Sequence, residues 1–232
     1  MKEGRQFRLR RYQPSDRERV RQLCCDTGFL GNPIDPVFED RELFADYLTS
    51  YYTDCEPESA FVLEVDGEIK GYLLGCRFPE RQRQYEFGLV LRLVWRGIWR
   101  YLFRYNAASR KFVHWILTRG RREVPPAPRD CAHFHINLLP EARNVATTRA
   151  LMDAYLQYLY EHGEKKVYGQ MVTFESRRNA RMFERYGFRV LNRSRITKYD
   201  DLYHEPVYLC TVIKDLEENS QLYGSLKREE VL

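Results

Sequence analysis

Phe7 to Arg11 alternates apolar and basic residues with the period of a half-buried strand, and Pro14-Ser15-Asp16 opens a helix running to about Cys25. Gly28, Gly31, Pro33 and Pro36 mark residues 26–36 as a loop, and the spacing of Phe38, Leu43, Phe44, Tyr47, Leu48 and Tyr51 predicts a second helix over 38–52. A hairpin follows: Ala60 to Val65, the turn Asp66-Gly67, then Ile69 to Cys76. Asp-Gly between two β-rich runs is a strong local hairpin signal. After residue 130 a strand resumes over Ala132 to Leu139. Pro140-Glu141 then leads into a long helix, Asn144 to about Glu161, with Leu151, Tyr155, Leu156 and Leu159 on its core face and Gly163 as its stop. Val167 to Phe174 reads as a strand and 176–186 as a short helix. Gly187-Phe188 turns into a strand ending near Arg195, and Val207 to Ile213 is the last strand. Residues 217–232 read as a polar tail. The order is βααββ, an insertion, then βαβαββ.

The insertion over 77–130 is basic and aromatic. Arg92, Arg96, Arg100 and Arg104 recur every four residues and form one stripe if 86–105 is helical. Val90, Val94, Ile98, Leu102 and Leu91, Trp95, Trp99, Phe103 fill two apolar rows, and a second short helix is expected over 109–118. Three readings compete: a lid packed on the domain with solvated arginines, an interfacial segment with its aromatic face in a membrane surface, or an oligomer contact or acceptor channel.

Charge sharpens this picture. The net charge of the 232 residues is +5, yet residues 77–130 hold 13 basic against 4 acidic side chains, so the rest of the chain is net acidic. Asp35 to Glu58 carries eight carboxylates against the single base Arg41. That field would attract a cationic amine, although a solvated helix face is the simpler account of it. The pI alone therefore does not argue for nucleic acid, and no nucleic-acid motif is present. Residues 1–13 are charged throughout and no apolar run approaches 18 residues, so neither a secretory signal nor a membrane span is expected. Six cysteines without a C-x-x-C pair read as reduced thiols of a cytoplasmic protein with no metal cluster.

Candidate chemistry lies where the strand ending at Leu139 hands over to the helix from Asn144. Free first-turn amides and the helix dipole suit such a junction to a diphosphate. Leu139-Pro-Glu-Ala-Arg143-Asn144-Val145-Ala146-Thr147-Thr148-Arg149 resembles the phosphate-binding motif of the GCN5-related N-acetyltransferases, Q/R-x-x-G-x-G/A. Ser176-x-x-Asn179-Ala-Arg-Met182-Phe183-Glu184-Arg-Tyr186-Gly187-Phe188 resembles the next motif of that family. The resemblance covers about 7–76 and 131–213 and agrees in element order.

It implies a single acetyltransferase-like domain over 1–232, of α/β (α+β) class, with a mixed, largely antiparallel sheet flanked by helices and a helical insertion between the third and fourth strands. It implies transfer of an acyl group, acetyl in the first instance, from coenzyme A to a small-molecule or peptide amine. Leu138 and Leu139 would pair with the pantetheine arm, and Asn144, Val145, Ala146, Thr147 and Thr148 would hold the diphosphate with help from Arg143 or Arg149. Ser176 and Asn179 would lie beside the arm, with Phe183 against the thioester. His133, His135 and Asn137 share a strand face, and the two imidazoles are candidate bases, His135 first.

The departures are as informative. Ala146 and Thr148 replace the family's small residues, narrowing the approach to the phosphates, although Thr147 or Thr148 hydroxyls would add donors. Phe183 replaces the tyrosine that protonates the departing thiolate, and Tyr186 is expected to turn away. The segment His133-Phe-His135-Ile-Asn137 is also similar, more weakly, to the acetyltransferase-like domain of O-GlcNAcases. These departures leave open an acyl-CoA-binding or regulatory module without turnover. A peripheral membrane protein docking through 86–118, and a homodimer, also stay open.

Overall fold

A computed structural model of the chain describes residues 7–174, 176 and 180–217. Seven strands, β1 Phe7–Arg11, β2 Ala60–Val65, β3 Glu68–Cys76, β4 Ala132–Leu138, β5 Lys166–Thr173, β6 Arg189–Arg195 and β7 Tyr208–Asp215, form one sheet in the order β1-β2-β3-β4-β5-β7-β6. Every neighbouring pair is antiparallel except β4 and β5. The β2–β3 hairpin turns at Asp66-Gly67, both with positive φ (54° and 80°), the backbone that Asp-Gly tolerates and that follows the right-handed twist of the strands. This is the expected mixed, largely antiparallel architecture, and the helical insertion falls between β3 and β4. Expectations for 218–232 and Asn179 lie outside the described residues.

Helices cover both faces. The helix α6, Val145–Glu161, lays Leu151, Tyr155, Leu156 and Leu159 on the face carrying Phe61, Leu63, Phe134 and Leu138. On the other face α1, Arg17–Asp26, and α2, Arg41–Cys55, pack Val20, Leu23, Tyr51 and Tyr52 against Val62, Tyr72 and Leu74. The start of α2 is Arg41 rather than residue 38, because the Asp40 carboxylate accepts the Leu43 amide and caps the helix there. Phe38 is buried ahead of it.

The insertion is helical over more of its length than its apolar spacing indicates. It forms α3, Pro79–Phe103, and α4, Ala107–Trp115, continued by a wide π-helical turn, Ile116–Gly120, and the single helical turn α5, Arg121–Glu123. Pro79 opens α3 at a position where its missing amide costs nothing. Asn106 caps α4 by accepting the Ser109 amide. Phe112 and Trp115 join Phe38, Tyr105, Ile196 and Tyr199 in a third buried cluster, so α4 packs on the domain.

The arginine stripe of α3 requires a correction. Arg96 and Arg100 are not simply solvated: they face α2, where Arg96 pairs with Asp46 and Arg100 with the buried Asp40. Tyr105 donates its hydroxyl to Asp40 as well (2.6 Å). Leu89 and Leu93 bury on this same side, which leaves the two apolar rows facing outward. The acidic surface of α2 selects the face of α3 that docks.

Candidate functional site

The parallel pairing of β4 with β5 lasts only three residues, Ala132 with Val167, His133 with Tyr168 and Phe134 with Gly169. Beyond it β4 runs on to Leu138 and β5 to Thr173 without pairing to each other, and the sheet opens into a V. A cavity of about 670 Å³ occupies the opening, walled by His135 to Leu138 from β4, Gln170 to Val172 from β5, Thr148 and Met152 from α6, and Tyr52, Gln82 and Glu86 from the α2–α3 side. It reaches both faces of the sheet.

At the α6 end the backbone is already partly committed. The Asn144 side chain accepts the Thr147 amide (3.0 Å) and the Thr147 hydroxyl lies 3.3 Å from the Asn144 amide, a reciprocal cap. The Thr147 hydroxyl donates to the Ala142 carbonyl (2.6 Å), and the residue is buried. This side chain is therefore not an extra donor for a ligand. The amides of Val145 and Ala146, at the first two helical positions, have no carbonyl four residues back to bond. Both residues are exposed, as is Arg149, and Thr148 lies half-buried in the cavity wall.

Leu138 and Leu139 divide their backbone groups between the two sides of β4. Leu139 donates its amide to the Lys70 carbonyl on the β3 side (2.9 Å), so that group is occupied. The Leu138 carbonyl accepts Arg143 (2.9 Å), and the same guanidinium nitrogen reaches the Gly31 carbonyl (3.1 Å). Arg143 thus spans the mouth of the V.

On the α2 face, His133, His135 and Asn137 do point the same way. The His133 ring lies edge-on to Tyr52 and beside Tyr168, and its Nε2 is 3.3 Å from the Tyr52 hydroxyl. His135 packs edge-on to Tyr72, with its Nε2 3.3 Å from the Asn137 amide, and Asn137 donates to the Tyr72 hydroxyl (2.8 Å). The Nδ1 of His135 is buried and makes no hydrogen bond within the protein. Burial pushes both imidazoles down to about 4, so both are neutral at physiological pH.

The insertion contributes groups that its apolar pattern does not reveal. Gln82 donates to Tyr52 (3.2 Å) and to Glu86 (2.9 Å), linking the first turns of α3 to His133 through Tyr52. Burial raises the Glu86 carboxyl above its ordinary range. Glu86 is in the cavity wall, whereas none of the eight carboxylates of residues 35–58 is. Most of those are engaged elsewhere: Asp54 with Arg17, Asp46 and Glu42 with Arg21, Asp35 with Arg41, and Glu56 with Ser59 and Tyr51. Tyr168 is a second unforeseen wall residue, its phenol pushed up to about 12 by burial.

Phe183 is buried and lies in the wall beside Met182 and Phe188. Tyr186, expected to turn away, is half-buried in the same wall. Ser176 is exposed, outside the cavity, and bonded through its hydroxyl and amide to Glu205.

Solved structures resemble the chain over nearly its whole length. SsHAT matches 90% of this chain and 98% of its own at 25% identity, with a TM-score of 0.57. The polyamine N-acetyltransferase of Drosophila melanogaster, which catalyses the formation of N-acetylagmatine, matches 90% of this chain and 100% of its own at 15% identity and a TM-score of 0.51. The protein yncA of Salmonella typhimurium, seen with its cofactor acetyl-CoA, matches 92% and 96% at 12% identity and a TM-score of 0.51. The chain has the fold of the GCN5-related N-acetyltransferases. No protein-family model matches it, and no curated protein does.

Proposed function

We propose that the chain transfers an acetyl group from acetyl-CoA to an amine. The observation that carries this reading is the V between β4 and β5, walled by Thr148 from the first turn of α6 and by His135 from β4. The donor set fits the cofactor: two open amides and an arginine suit a diphosphate, and the unpaired edges of β4 and β5 suit an extended amide-bearing arm. Val145, Ala146, Thr148 and Arg143 would hold the phosphates, and Phe183 would pack against the thioester end. When bound, acetyl-CoA supplies an activated acyl group.

The chain's own residues would then position and deprotonate the acceptor. His135 is the base we assign, its ring packed edge-on to Tyr72 in the cavity wall. Titrating at about 4, it is already deprotonated at neutral pH, so activity above that point follows the ionisation of the acceptor itself. Glu86 supplies the carboxylate that a cationic amine needs in an otherwise aromatic and basic wall. The polyamine N-acetyltransferase of this fold that forms N-acetylagmatine supports a small cationic acceptor.

Two observations favour a second reading, a module that binds the cofactor without turnover: Arg143 spans the mouth of the V, and Phe183 offers no proton for the departing thiolate. Calorimetry with acetyl-CoA, paired with thiol release over a panel of polyamines, agmatine and peptide amines, distinguishes the readings. Binding with thiol release supports the enzyme, binding alone supports the module, and no binding at millimolar acetyl-CoA refutes both.

A further inference from the structure

The outward face of α3 is the largest feature that acetyl transfer does not use. With Leu89, Leu93, Arg96 and Arg100 turned toward α2, the opposite side of the helix presents Phe87, Leu91, Val94, Trp95, Ile98 and Leu102 to solvent, and Phe103 is exposed at its last residue. Trp95 is 80% exposed, and Phe87 and Phe103 are 71% and 70% exposed. Leu117, in the turn after α4, is 78% exposed. Side chains of this size exposed singly need no explanation, but a contiguous row from Phe87 to Leu102 does.

What covers the row follows from the charge around it. Residues 87–122 carry nine basic side chains and no carboxylate. Two of the nine, Arg96 and Arg100, are taken by α2, and Lys111 is taken by Asp201. Arg92, Arg104, Arg110, Arg119, Arg121 and Arg122 remain exposed, with Arg104 stacked over the exposed Trp99 ring. A second copy of the chain docked face to face by two-fold symmetry would bring these arginines against their own counterparts, which is unfavourable. An anionic surface meets the same arginines favourably, and an apolar row set among cationic side chains is the pattern of a helix lying in a membrane interface. No helix among the described residues is long and apolar enough to cross a bilayer.

We propose that α3 docks the protein on an anionic phospholipid surface, its aromatic row inserted among the acyl chains and its arginines against the headgroups. The binding is that of a peripheral protein: Arg96 and Arg100 keep the helix on α2 while its free side enters the interface. It requires neither acetyl-CoA binding nor turnover.

All three tryptophans of the chain lie in the insertion, and Trp95 and Trp99 are on the docking side, so intrinsic fluorescence reads the event directly. The full chain is mixed with phosphatidylcholine vesicles with and without phosphatidylserine. The expected result is a blue shift and co-sedimentation with the phosphatidylserine vesicles, weakened by salt. Leu91→Glu with Trp95→Glu, both exposed positions, should abolish co-sedimentation while the far-ultraviolet circular dichroism stays that of the parent. Arg92→Glu with Arg104→Glu should weaken partitioning by about tenfold or more, since each basic side chain near such a surface contributes about 1 kcal/mol. Absence of co-sedimentation at low salt overturns the proposal. So does equal binding to vesicles with and without phosphatidylserine, or a tight dimer in sedimentation velocity that the Leu91 and Trp95 substitutions dissociate.

Discussion

His133 and His135 hold two imidazoles in a cavity wall that suppresses their protonation, and this has a measurable effect on stability. In the unfolded chain each titrates near its ordinary value of 6.5, and in the folded chain burial moves both to about 4. Between these values the unfolded state binds protons that the folded state does not, so stability is complete above about pH 6.5 and falls as the pH drops toward 4. For one such histidine the loss between about pH 7 and about pH 5 is about 2 kcal/mol, and for two acting independently about 4 kcal/mol. The carboxyls of Asp16, Asp40 and Asp54 are held below their usual range, by Arg10, by Arg100 and Tyr105, and by Arg17 respectively, against the opposing effect of burial. They titrate below this window and contribute little to it. Urea unfolding followed by tryptophan fluorescence at the two pH values, for the parent and for His133→Gln with His135→Gln, isolates the effect. The glutamines keep a hydrogen-bonding group and cannot titrate. The parent should lose several kcal/mol more than the double variant; an equal loss in both would show that the imidazoles are solvated in the folded protein, and the assignment of His135 as a shielded base would go with it.

Asp40→Asn removes the charge facing Arg100 while keeping a partner for Tyr105, and should cost about 3 kcal/mol by urea unfolding, recovered in part when Arg100→Met is added. Gly75→Ala would set a methyl 2.1 Å from Tyr155 Cε2 and 2.7 Å from the Ser59 carbonyl, so a loss of about 3 kcal/mol is expected in the same assay. Glu86→Gln should raise KM for a cationic amine about tenfold with little change in kcat, and leave KM for a neutral amine unchanged; the two acceptors are compared by thiol release. Asn144→Ala should lower thermal stability by about 1 kcal/mol through the lost cap of α6.

The parts of the fold that local chemistry decides are legible along the chain. Asp66-Gly67 can turn a hairpin whatever surrounds it, Asn144 can cap a helix with its own side chain, and alternation along residues 132–138 places His133, His135 and Asn137 on one face. The features that depend on a distant surface are not legible in this way. The Thr147 hydroxyl reads as a free donor until the turn at 140–142 brings the Ala142 carbonyl beneath it. Tyr52 reads as one of several core tyrosines at helical spacing, and only the approach of β4 makes it the partner of His133. Gln82 and Glu86 are hidden for a plainer reason: residues 80–84 are polar, so apolar periodicity starts the helix late, whereas Pro79 starts it two turns earlier.

The orientation of α3 shows why one-dimensional patterns mislead when both faces carry a signal. A stripe of arginines beside two apolar rows is ordinarily read with the rows inward, because burying leucine and tryptophan is favourable and burying arginine is not. Here the competing surface is α2, whose buried Asp40 would lose Arg100 if the apolar side of α3 lay against it, while Asp46 would keep only Arg21. Leaving a buried carboxylate such as Asp40 without its cation costs about 3–5 kcal/mol, comparable with burying two apolar side chains at about 1.5–3 kcal/mol each, and the docked face keeps Asp40 paired while also burying Leu89 and Leu93. The arginines therefore face the protein, and the apolar rows are left for something outside it. The same orientation brings Gln82 and Glu86 into the cavity wall, so one ion-paired seam determines both what the acceptor meets and which surface the molecule presents to its surroundings.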